Sequence, residues 1–190
     1  QGSMQPGDVF ALNSPYNGGT HLPDVTVITP VFDGETRSVL FYVGSRGHHA
    51  DIGGVTPGSM PAFSGSITEE GVLIDNFRLL ANGVFDESGF RGLLASGEFP
   101  ARNPDNNIPD IRAQVAANEK GVQELKRMIE QFGLNVVNAY MVHVQDNAEE
   151  SVRRVIDRLV DGQFRYELDD GHAIEVSISV NPEERSATVD

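Results

Sequence analysis

Apolar residues in the middle of the chain recur with a helical period. Ile111, Val115, Val122, Leu125, Ile129 and Phe132 stand at spacings of three, four and seven, which align them on one stripe of a helix. Gly133 is placed to end that helix, because glycine tolerates the left-handed backbone that closes a helical C-terminus. A second stripe, Val137, Tyr140, Met141, Val144, Ala148, Val152, Val155 and Leu159, begins after Asn135, a competent N-cap, and stops before Gly162. The link between the two helices is so short that they are expected to run as an antiparallel hairpin.

On either side of this pair the period changes to two. Val25 to Phe32 and Arg37 to Gly44 are β-type runs joined at Asp33-Gly34-Glu35. Phe164, Tyr166 and Leu168, then Ile174, Val176, Ile178 and Val180, alternate as one-sided strands do. Ser177–Val180 and Ser186–Val189 read as hairpin arms around Asn181-Pro182-Glu183-Glu184. Weaker patterns mark a strand at Val72 to Leu79 and a short helix at Glu87 to Ser96. The expected class is α+β: a β-rich N-terminal part with long loops, a central antiparallel helix hairpin and a C-terminal antiparallel β meander.

A chain of 190 residues, 39% of them hydrophobic, can bury one ordinary core, so residues 4–190 are expected to form a single domain. Residues 1–3, Gln1-Gly2-Ser3, read as a tag remnant. The final run reaches Asp190 in the middle of a strand pattern, and the chain is read as a piece of a longer polypeptide, truncated at its C-terminal end and at its N-terminal end.

Charge then narrows the function. Twenty-eight acidic residues against 14 basic ones give a formal charge of −14, the opposite of a nucleic-acid footprint, so no nucleic-acid partner is expected. The longest apolar runs fall far short of a membrane span, so no membrane partner is expected and the cytoplasm is the expected location. Without cysteine, any metal has to be held by imidazole, carboxylate or water. There is no G-x-x-x-x-G-K-[ST] loop, no G-x-G-x-x-G entering a helix and no serine in a nucleophile elbow.

Three of the five histidines, His21, His48 and His49, lie in the Gly- and Asp-rich first third beside Asp24 and Asp51. His143 and His172 read as solvated side chains, and Glu69-Glu70 as a solvated turn. His21 and Asp24 form an H-x-x-D pair that can bring an imidazole and a carboxylate to one ion. Asp24 starts one arm of the first hairpin and His48 follows the other, so a turn near Gly34 brings Asp24, His21 and one of the adjacent histidines together. Neighbouring strand residues face opposite ways, so only one of His48 and His49 can join. Neutral imidazoles with a carboxylate suit zinc, manganese or ferrous iron, and such an ion acidifies a water or polarises a carbonyl. Satisfied loop residues explain the spacing equally well, since short H-x-x-D pairs arise by accident.

Longer words are more specific. Gly7-Asp8-Val9-Phe10, Asn13-Ser14-Pro15-Tyr16, Gly18-Gly19-Thr20-His21-Leu22-Pro23-Asp24, Arg46-Gly47-His48-His49-Ala50-Asp51-Ile52-Gly53-Gly54 and Pro57-Gly58-Ser59-Met60-Pro61 occur in that order, followed by Ile111 to Asn118 and Tyr166 to Gly171. Together they resemble the hydantoinase B family over nearly the whole chain. The family includes N-methylhydantoinase subunits, the C-terminal part of 5-oxoprolinase and subunits of acetone and acetophenone carboxylases. Val122-Gln123-Glu124-Leu125, Tyr140-Met141 and Gln145 to Glu150 look most like the 5-oxoprolinase type.

The resemblance implies a division of labour. A hydantoinase A-type ATPase module, fused or separate, would bind ATP and phosphorylate the substrate carbonyl oxygen; the hydantoinase B module would then open the cyclic amide with water. It also implies that His21, Asp24 and His48 hold a divalent metal, which the donor chemistry makes zinc, manganese or iron; Asp51 or the spare histidine, His49, is then expected to handle protons. A non-catalytic docking module for the ATPase, or a carboxylase subunit, shares the same words.

Overall fold

The computed structural model describes residues 4–190, so the expected tag remnant at 1–3 lies outside the described residues. The class is α+β: an N-terminal antiparallel sheet, two central helices and a C-terminal three-stranded antiparallel sheet. Contacts cluster into two compact units, one closing at Arg127 and the other running Met128–Asp190.

The first unit is built on five strands in the order β3-β2-β1-β4-β5. These are β1 (Val9–Leu12), β2 (Asp24–Phe32), β3 (Val39–His48), β4 (Phe77–Ala81) and β5 (Val84–Phe85). The expected hairpin is present as β2 and β3, but β3 continues four residues past Gly44, to His48, opposite Asp24 at the start of β2. Its turn is organised by the Asp33 carboxylate, which accepts hydrogen bonds from the backbone N–H groups of Glu35 and Thr36. A register shift near Val31 and Phe32 absorbs the odd residue beside that turn.

β2 sorts its residues by face. Val25, Val27 and Val31 are buried, while Asp24, Thr26 and Ile28 at alternate positions are only partly so. β1 lies on the other side of β2, pairing Phe10, Ala11 and Leu12 with Ile28, Val27 and Thr26. Pro30 sits beyond that pairing, where its missing N–H costs no ladder bond.

A four-residue helix, α1 (Ile67–Glu70), is capped by Ser66. α2 (Glu87–Leu94) starts at Asp86, whose carboxylate accepts from the Gly89 N–H, and buries Phe90 and Leu94. α3 (Pro104–Phe132) begins seven residues before the first residue of the expected stripe, with Pro104 at the first position, where a missing N–H is harmless. Through Ile108 and Ile111 it joins a core that contains Val9, Ala11, Leu22, Val25, Val27, Ile52, Ile74, Leu79, Phe90 and Leu94.

Val72–Leu79 is a strand only from Phe77 onward. Upstream, Ile74 is tied to Asn13, its N–H donating to the Asn13 side-chain oxygen and its carbonyl accepting from the Asn13 N–H. An amide side chain replaces a strand ladder there.

The second unit contains α4 (Leu134–Ile156) and the meander β6 (Gly162–Glu167), β7 (Ala173–Asn181) and β8 (Ser186–Val189). The link before α4 is Gly133 alone, at φ 84°, so α4 starts one residue before Asn135, the expected cap. Val137 is buried, whereas Tyr140, Val144, Val152 and Val155 of the same stripe are exposed. Arg185 ties the β7–β8 turn to α4 through Glu150 and Asp157. No helix among the described residues is long and apolar enough to cross a membrane.

Candidate metal centre

The open end of the β2–β3 hairpin gathers the candidate ligands His21, Asp24 and His48. Asp24 and His48 are register partners, and the Asp24 Oδ1 lies 2.9 Å from the His48 Nδ1. The segment before β2 folds back, with the Asp24 N–H donating to the His21 carbonyl, and this sets the His21 Nδ1 3.2 Å from the Asp24 Oδ2. The two imidazole rings stand 5.2 Å apart, tilted by 34°. One potential ligand atom from each of the three residues lies within 4.8 Å of the others.

Donor atoms bound to one zinc-sized ion at about 2.0–2.2 Å stand roughly 3–4 Å from each other. The two nitrogens and one carboxylate oxygen therefore need only a small contraction to hold such an ion. Their chemistry, borderline imidazole and hard carboxylate, fits zinc, manganese or ferrous iron. The site is open to solvent, with His48 56% and His21 39% exposed, so a small molecule can reach it.

The surrounding loop is fixed from below. Leu22, fully buried, is anchored by the Asn13 side-chain amide, which donates to its carbonyl at 2.9 Å. The Pro23 carbonyl accepts from the His49 N–H at 2.8 Å. Beside the group, on the same face of the hairpin, the Arg46 guanidinium donates to the Thr26 hydroxyl and to the Gly18 carbonyl.

His49 points the other way, as strand alternation requires. It is 1% exposed; its Nδ1 accepts from the Asn107 amide at 3.0 Å and its Nε2–H donates to the Gln114 oxygen at 3.1 Å. A proton on Nδ1 would face the Asn107 amide hydrogens, so the ring is held neutral. Burial pushes its pKa below the ordinary histidine range, against the opposing effects of the Gln114 hydrogen bond and the charge of Asp110.

Asp51 is likewise engaged on all sides. Its Oδ1 accepts from the Gly53 and Arg102 N–H groups, and its Oδ2 from the Gly58 N–H and the Arg102 guanidinium. Burial raises its pKa, but these donors outweigh it and hold the carboxyl below its ordinary value. Both groups expected to handle protons thus have their lone pairs or protons committed to structure.

His143 and His172 stand outside the group on exposed surface, near Asp146 and Asp170. Glu69 and Glu70 accept from the Gly65 N–H and the Ser64 hydroxyl. Asn107 and Gln114, which make both side-chain contacts to His49, carry no role in the sequence reading. The available signal is their polarity on the buried face of α3, at the helical phase of Ile111.

The family model described as Hydantoinase B/oxoprolinase matches residues 1–190. The chain belongs to this family. A 5-oxoprolinase of Dictyostelium discoideum is 44% identical to this chain over 200 residues, covering 99% of the chain and 15% of that protein. 5-Oxoprolinase 1 of Arabidopsis thaliana is 49% identical over 162 residues, covering 81% of the chain and 13% of that protein. The chain therefore spans about one seventh of the length of these relatives, as 13–15% coverage states.

Among solved structures, the ATP-dependent caprolactamase from Pseudomonas jessenii superposes with a TM-score of 0.80 at 25% identity, over 99% of this chain and 32% of that one. A nucleotide-free acetone carboxylase structure gives the same TM-score of 0.80 at 16% identity, over 100% of this chain and 27% of that one, and shares the fold.

Proposed function

We propose that this chain carries the ring-opening site of an ATP-dependent cyclic-amide hydrolase of the 5-oxoprolinase type. The observation that carries the reading is the convergence of His21, Asp24 and His48, within 4.8 Å, in a chain 44% identical to a 5-oxoprolinase. The caprolactamase likeness supports it, since that protein is named for ATP-dependent action on a cyclic amide.

A ring amide is a poor electrophile, and phosphorylation of its oxygen supplies a leaving group. In this reading ATP is bound and used by a hydantoinase A-type ATPase module, fused or separate, and a cytoplasmic setting accompanies that arrangement. A divalent metal at the group, when bound, supplies Lewis acidity toward a carbonyl oxygen or a water.

This chain's own residues do the holding. His21, Asp24 and His48 are the ligands, and Asp24, between the two imidazoles, orients both rings. Leu22 and Pro23 keep the His21 loop against the hairpin through their bonds to Asn13 and His49. His49 and Asp51 are supports in this scheme: His49 locks the β3 end to α3, and Asp51 shapes the loop from Gly53 to Gly58.

The test is elemental analysis of the full-length protein beside a His21→Ala, Asp24→Ala double variant, after dialysis against a weak chelator. Near-stoichiometric zinc, manganese or iron, lost in the variant together with ATP-dependent ring opening while folding persists, is the expected result. Turnover retained by the double variant would sink the proposal.

A further inference from the structure

Three amide side chains are buried along the face of α3 that meets the β2–β3 hairpin: Asn107, Gln114 and Asn118, at 2%, 8% and 1% exposure. Buried amides persist where their hydrogen bonds are made, and each of these has found partners. The partners divide the three by position along the hairpin.

Asn118 works at the middle. Its amide donates to the carbonyls of Val27 and Val43 and to the Thr29 hydroxyl, several residues from any candidate ligand. Gln114 works at the end. Its Nε2 donates at 2.9 Å to the carbonyl of Val25, the neighbour of Asp24, and its oxygen accepts from His49, the neighbour of His48. Gly47, the other neighbour of His48, runs so close beneath that a Cβ there would stand 3.0 Å from the Gln114 amide carbon.

We propose that Gln114 is a positioning residue for the His21, Asp24 and His48 group, gripping the residues that flank both strand-borne ligands from the opposite face of the sheet. Side chains alternate across a strand, so fixing Val25, Gly47 and His49 on one face fixes the pleat that aims Asp24 and His48 on the other. The 2.9 Å approach of Asp24 to His48 is set by this grip. Asn107 completes it by holding the far ring nitrogen of His49 and the Asp51 carbonyl. The inference rests on the metal reading above.

The test separates positioning from general loosening. Gln114→Leu and Asn118→Leu each remove from α3 a buried amide that donates to a carbonyl of β2, so both lower the melting temperature. Co2+ is titrated into the metal-free full-length protein and followed by its visible absorption, with His48→Ala as the baseline for non-specific binding. Gln114→Leu is expected to weaken Co2+ binding about tenfold or more and to alter the spectrum, as loss of an outer-shell partner does, while Asn118→Leu binds as the parent does.

Gly47→Ala offers a second route should Gln114→Leu fail to fold. It crowds the Gln114 amide from the strand side, deletes no hydrogen-bonding group, and is expected to weaken Co2+ binding in the same direction. Unchanged binding and spectrum in Gln114→Leu, or a loss shared by Asn118→Leu in proportion to melting temperature, overturns the positioning role and leaves the metal site standing. Co2+ binding by the parent no tighter than by His48→Ala overturns the metal reading itself, and this role with it.

Discussion

Asn13 gives a direct measure of how firmly the candidate site is anchored. Its side chain is fully buried and makes three hydrogen bonds to backbone: its amide donates to the Leu22 carbonyl at 2.9 Å and the Val72 carbonyl at 3.0 Å, and its oxygen accepts from the Ile74 N–H at 2.7 Å. Asn13→Ala orphans two carbonyls and one N–H in an interior position. At about 1 to 1.5 kcal/mol for each lost bond, with a small addition for the cavity, the expected loss is about 3 to 5 kcal/mol. In a urea titration followed by circular dichroism, with a slope of about 2 kcal/mol per molar, the midpoint should fall by roughly 2 M.

Asn13→Asp sharpens the experiment because it is nearly isosteric. One carboxyl oxygen still accepts from Ile74, but the other faces two carbonyl oxygens, so the ionised form is disfavoured and the folded-state pKa rises above the unfolded value of about 3.9. The folded state then binds more protons than the unfolded one. The variant should therefore be most stable near pH 4 and lose about 1.4 kcal/mol for each further pH unit until the folded-state pKa is passed. A loss below about 1 kcal/mol in Asn13→Ala, together with pH-independent stability of Asn13→Asp between pH 4 and 7, would refute the bonding assigned to this residue.

Three other residues give independent tests. Asp51→Asn should cost about 1 to 2 kcal/mol, since the carboxylate binds three N–H groups and a guanidinium. The folded carboxyl titrates below its ordinary 3.8, so its contribution is complete above that pH and lost as pH falls through the folded value; thermal melts of parent and variant should converge in acid. Gly53→Ala places a Cβ 2.3 Å from the Phe99 carbonyl oxygen at a φ of +96°, and a loss of at least about 2 kcal/mol in the same melts is expected. Arg185→Ala cuts the ion pairs to Glu150 and Asp157, and should lower the melting temperature slightly in dilute buffer and less in 1 M salt, of the order where screening is nearly complete.

The hairpin that carries the candidate site is legible because two apolar runs flank a turn-forming Asp33-Gly34-Glu35. What periodicity does not show is where β3 ends. Arg46, Gly47 and His48 are not strand formers, yet Asp24 pairs with His48 because α3 amides hold the backbone from behind. That extension decides which of the two adjacent histidines meets Asp24, and no local pattern reports it. β1 escapes notice for a related reason: four residues inside a polar segment carry too little alternation, and β2 and β4 on either side supply its pairing. The α3 stripe is clear in its apolar members and misleading in its polar ones. Asn107, Gln114 and Asn118 interrupt the pattern as surface residues would, but they are buried because strand carbonyls and His49 await them.

The two-faced hairpin also limits how its loop can vary. A side-chain period of two means that sliding β3 along β2 by one residue would carry His48 into the helix interface and His49 out to solvent. Insertions in the Asp33–Ser38 turn are then tolerable when they lengthen the loop without moving the strands or are absorbed by the irregularity at Val31 and Phe32. A change that slips the ladder by one step would dismantle the candidate ligand group and the buried amide network together. Length variation among related hairpins should accumulate at this tip and spare the spacing between Asp24 and the register bulge.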